Sequence, residues 1–132
     1  MRSRSLDMKS RENLVRLKQF QANEKRRQLA QLDTMIGEFE RMASELDMQI
    51  TIEEKKSGIT DVTHFAYPTF AKAARQRRDN LKNSQVDLMA QRATAQSLLR
   101  EAEAELSKAQ ALESRDGKSR DMDGHGRSAM IG

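Results

Sequence analysis

The sequence predicts an all-α fold, a long antiparallel two-helix coiled-coil hairpin with a disordered C-terminal tail, and three observations predict it. Ala, Glu, Lys, Leu and Arg make up 62 of the 132 residues, the composition of coiled coils and long helices. Apolar residues recur every seven positions along two stretches with no internal proline, the period of a helical seam. Both stretches begin basic and end acidic, a polarity that becomes attraction only when the two run antiparallel. Leu, Ile, Val and Phe number only 24, a share that by itself resembles disorder. Twenty-two of them lie between Leu14 and Leu112, enough for one stripe on each of two helices but not for a globular core.

Residues 1–9 read as a flexible extension, with Met8 a plausible alternative start. The first helix is expected over 10–57. Stepping by seven from Val15 gives Ala22, Leu29, Ile36, Ala43 and Ile50, with Leu32, Phe39 and Leu46 three residues on. Leu14, Met35 and Met42 widen this stripe and leave surface for a third partner. Gly37 is its one internal weak point, at about 1 kcal/mol relative to Ala.

Residues 58–67 form the expected turn at the hairpin tip. Ser57 and Gly58 stop the period, Thr60, Asp61 and Thr63 supply side-chain caps, and Pro68 suits a first helical turn. The second helix is expected over 68–115, with Ala74, Leu81, Leu88, Ala95, Ala102 and Ala109 on its seam and Leu98, Leu99, Leu106 and Leu112 beside them. Its smaller residues would let the helices approach closely. Residues 116–132 hold four of the six glycines and no period, and read as the disordered tail.

The charge blocks are large. Residues 9–27 carry +5 and 28–54 carry −6, while 69–82 carry +4 and 101–113 carry −3. Each exposed pair contributes about 0–1 kcal/mol, so the blocks select orientation rather than supply stability.

Composition also narrows the function. There is no Cys or Trp and only two His, His64 and His125, a poor inventory for nucleophilic, acid-base or metal chemistry. No phosphate-binding glycine loop is present. Catalytic residues, cofactors, metals and a small-molecule substrate are therefore not expected. The short apolar runs offer neither a membrane span nor a signal peptide, so a soluble cytoplasmic protein is expected.

Arg75, Arg77, Arg78 and Lys82 form a basic cluster. It either binds nucleic-acid phosphates or neutralises Glu45, Asp47, Glu53 and Glu54 across the hairpin. The second reading is preferred because no aromatic platform interleaves the arginines, and a nucleic-acid partner is not expected. The stretch HFAYPTF, residues 64–70, concentrates three of the five aromatics in Phe65, Tyr67 and Phe70. These rings either plug the hairpin end or form an exposed partner contact, and both can hold at once.

The segment ENLVRLKQFQANEKRRQLAQL, residues 12–32, resembles the opening helix of the flagellar export protein FliJ family at Leu14, Leu17, Glu24, Leu29 and Ala30. HFAYPTFAKAARQRRDNL, residues 64–81, is similar to the tip and second helix of its alphaproteobacterial members. That resemblance implies a non-enzymatic, rotor-stalk-like coiled coil of the flagellar type III protein export apparatus, serving motility. Its implied partners are the hexameric export ATPase, the membrane export gate and export chaperones. Its implied location is the cytoplasmic face of the inner membrane, reached only through those partners. By the same analogy the end carrying both termini, with Arg11, Arg16 and Lys18, would enter the ATPase ring. The alternative is a general coiled-coil chaperone or scaffold, dimeric through Met35, Phe39 and Met42.

Overall fold

The structure, a computed structural model, describes residues 8–117 in full, together with the backbone of the helices to which they belong. Two helices, α1 (Arg2–Ser57) and α2 (Thr69–Ile131), form the antiparallel hairpin, and no strand occurs among the described residues. The helices continue into the extension expected over 1–9 and the tail expected over 116–132, where the side chains of 1–7 and 118–132 lie outside the described residues.

The chain divides into two compact units. In the unit made of Met1–Gln28 and Ala95–Gly132, Ala22, Ala95, Leu106 and Ala109 are buried, and Val15, Leu99 and Ala102 are partly buried. In the unit Leu29–Thr94, Ala43, Leu46, Ile50, Ala74 and Leu88 are buried, and Leu29, Leu32, Ile36, Phe39 and Leu81 are partly buried. Leu46, Ile50 and Ala74 form one cluster with Leu81 packed against it. A small Ala74 facing two large side chains lets the helices close on each other without a void. The companions Leu98 and Leu112 are exposed, as are Met35 and Met42.

Burial adds a row that a search for apolar residues could not find. Stepping by seven from Ala71 gives Arg78, Gln85, Arg92, Leu99 and Leu106, every one at least partly buried. Two arginines thus occupy seam positions. Arg78 donates to Asp47 at 2.9 Å and Arg92 pairs with Asp33. Lys18 occupies a seam position of α1 and donates to Glu105 at 2.7 Å. A polar residue at such a position costs stability but admits few alternative registers.

The ion pairs carry the antiparallel sense within each unit. In the unit holding the termini, Arg11, Lys18 and Arg26 of α1 meet Asp116, Glu105 and Glu103 of α2. In the other, Asp33, Asp47 and Glu54 meet Arg92, Arg78 and Arg75. As one number climbs its partner falls, which only antiparallel helices in constant register allow. The charge blocks therefore meet their opposites.

α1 ends on its glycine. Gly58 has φ +70°, its amide donates to the Glu54 carbonyl at 2.9 Å, and Ser57 Oγ accepts from the Ile59 amide, a left-handed helix cap. Gly37 differs, because its φ is not positive and an added Cβ meets nothing within 4 Å. Thermal melts should separate the two sites. Gly37→Ala is expected to stabilise by about 0.4–1 kcal/mol, and Gly58→Ala to destabilise by about 1–2 kcal/mol.

Candidate functional site

The connection between the helices is built by short-range bonds that decide which rings face inward. Asp61 Oδ1 accepts from both the amide (2.9 Å) and the hydroxyl (2.7 Å) of Thr63, a side-chain-closed turn. These two donors hold the Asp61 carboxyl below its ordinary pKa. The His64 amide then donates to the Asp61 carbonyl, and the Tyr67 amide to the His64 carbonyl. His64 Nδ1 accepts from the Ala66 amide at 3.0 Å, and its ring stacks on Phe65 with centroids 4.8 Å apart. Pro68 has no N–H to leave unpaired, and its carbonyl accepts from the Lys72 amide. It therefore caps α2 from outside, one residue before the helix begins.

This geometry sorts the three aromatics. Tyr67 is only 7% exposed, its hydroxyl accepts from Arg75 Nε at 2.9 Å, and the Arg75 guanidinium lies 5.9 Å from its ring centroid. Arg75 also donates to Glu54 at 3.2 Å, so Tyr67 plugs the turn and joins it to both helices. The expectation of Tyr67 as a partner contact is corrected on that ground. Phe65 is 97% exposed and Phe70 57%. The buried plug and the exposed rings are separate residues of one motif.

At the end nearest the termini, the three predicted cations also separate. Arg11 pairs with Asp116 at 2.5 Å and reaches the Leu112 carbonyl, while Lys18 is held by Glu105. Lys18 in turn pulls the Glu105 carboxyl below its usual pKa. These two residues hold the helices together. Arg16 is exposed and makes no ion pair with the described residues, and Leu17 and Phe20 beside it are also exposed. Phe20 was not singled out by the heptads because it lies off the seam, and its size was the available signal.

The basic cluster behaves in the same mixed way. Arg75 and Arg78 neutralise Glu54 and Asp47, whereas Arg77 and Lys82 are exposed and unpaired among the described residues. Arg77 borders a shallow groove of about 270 Å³ lined by Phe39, Met42, Leu81, Asn80 and Ser84.

Among the described residues no group of His, Cys, Asp or Glu is placed to hold a metal, and no helix is long and apolar enough to cross a membrane. No protein-family description, curated protein or solved structure matches the chain.

Proposed function

We propose that this chain is a non-enzymatic component of the flagellar type III protein export apparatus. It is a coiled-coil stalk that binds the hexameric export ATPase and links it to the membrane export gate at the cytoplasmic face of the inner membrane. Export chaperones are further partners. The observation that carries this reading is the division between used and free groups. Arg11, Lys18, Arg75, Arg78 and Arg92 are committed to ion pairs between the helices, while Arg16, Leu17, Phe20, Phe65 and Phe70 remain exposed. The antiparallel hairpin is also the fold that the resemblance to FliJ implies.

Gel filtration of the purified chain with the flagellar export ATPase tests the reading. Co-elution is expected, weakened by Arg16→Glu; separate elution of the two proteins argues against it. A scaffold reading is favoured by one feature, the apolar groove at Phe39, Met42 and Leu81. It requires a dimer in sedimentation, whereas the stalk reading requires a monomer of 15.1 kDa.

A further inference from the structure

A phenylalanine 97% exposed, on a loop that short-range hydrogen bonds hold in place, calls for a contact. We propose that the hairpin tip is an interfacial anchor, which inserts Phe65 into an anionic lipid surface. The inference stands on the tip alone and does not require the export ATPase.

Three features favour lipid. The first is apolar exposure: Phe65 is 97% exposed, Phe70 57% and Val62 38%. One fully exposed ring with two partly exposed apolar groups near it in the chain supplies the small apolar surface that shallow burial at the boundary between headgroups and acyl chains takes. The second is size. Only residues 59–67 lie between the Gly58 cap and Pro68, whereas a stable protein interface takes roughly 20–30 residues a side. A bilayer surface needs no shaped counterpart, so a small patch suffices for weak, reversible binding.

The third is charge. Lys55 and Lys56 stand in the last turn of α1 and Lys72 in the first turn of α2, all exposed. Among the described residues Lys55 and Lys72 make no ion pair, and Lys56 has only Glu53 at 3.9 Å. Of the nearby carboxylates Glu54 is paired with Arg75, and Asp61, held by the neutral Thr63 donors, keeps its charge, so that Lys55 and Lys72 together outweigh it by one. Apolar rings beside Lys55 and Lys72 are attracted to an anionic leaflet and gain less from a neutral one. Loop order adds to this, because the backbone of the turn is already held by its own hydrogen bonds and loses little freedom on binding.

Co-sedimentation of the full chain with sucrose-loaded vesicles tests the proposal, with phosphatidylglycerol mixed into phosphatidylcholine against phosphatidylcholine alone. Binding is expected to the anionic vesicles and to weaken at high salt. Phe65→Ser is expected to lower partitioning about tenfold or more, and Lys72→Gln by about fivefold. Far-UV circular dichroism of both variants should match the parent, since neither side chain is packed in the seam. No sedimentation with either vesicle, or binding indifferent to Phe65→Ser, overturns the proposal. Capture of a protein partner that needs Phe65, while vesicles bind nothing, assigns the tip to protein instead.

Discussion

Truncating Ile50 to Ala is expected to lower the stability of the hairpin by about 2–4 kcal/mol. Ile50 is 3% exposed and shares a cluster with Leu46 and Ala74, with Leu81 against it. Facing an alanine, the truncated site has little side chain available to collapse into the space. Few other buried residues are larger than alanine, so the loss is a large fraction of a total that is small in any domain of this size. Urea titration followed by circular dichroism reads the effect. Met48→Ala is the control, because Met48 is 63% exposed on the same helix and its truncation should cost within about 0.5 kcal/mol. Equal losses at the two sites would mean that the seam is not where the structure places it.

Reversing the charge of Arg78 is the second large perturbation. Its side chain is 19% exposed on the inner row of α2, with Nη1 2.9 Å from Asp47 and Nη2 3.2 Å from Asp79. Arg78→Glu sets a partly buried carboxylate against two others, at an expected cost of about 2–4 kcal/mol. Adding Asp47→Arg restores an opposite pair across the helices and should recover much of the loss. The exposed Arg26–Glu103 pair, at 3.5 Å with both side chains nearly half exposed, serves as the comparison. Its double-mutant coupling should stay within about 0.2–1 kcal/mol, while that of Arg78 and Asp47 should exceed it. No recovery in the exchanged variant would show that the pair does not set the register.

Much of the fold was legible because a seam is a one-dimensional feature. A residue seven positions from Ala22 or Ala95 returns to the same face whatever happens elsewhere, and every seven-step seam position from Val15 to Ala109 is buried or partly buried, while the flanking Met35, Met42 and Leu98 are exposed. Charge blocks gave the antiparallel sense for a similar reason, since their signs sum over many residues. The row of Arg78, Gln85 and Arg92 escaped because the seam is traced through apolar residues alone. An arginine can lie along a seam by its methylene stem while its guanidinium reaches a carboxylate outside.

The tip was legible only as a cluster. In the turn there is no period to assign a face, and the outcome rests on particular bonds. Thr63 closes onto Asp61, His64 Nδ1 takes the Ala66 amide, and Tyr67 alone has a hydroxyl that can meet Arg75. Phenylalanine has no such handle, which is why a buried position next to a guanidinium and a carboxylate suits Tyr67 and not Phe65. At the other end Arg11, Arg16 and Lys18 look equivalent in sequence. Acceptors on the opposite helix, Asp116 and Glu105, separate two of them from the third.

The proposal that this chain acts on the export ATPase rests on helices that use their charges to hold each other and on exposed rings and an Arg16 that lie off the seam. The steady-state ATP hydrolysis rate of the purified flagellar export ATPase, titrated with this chain, measures that action most directly. The rate is expected to change and to saturate as the chain is added, with a smaller change for Arg16→Glu. A rate that stays constant at every ratio, with no co-elution of the two proteins, contradicts the assignment to the export apparatus.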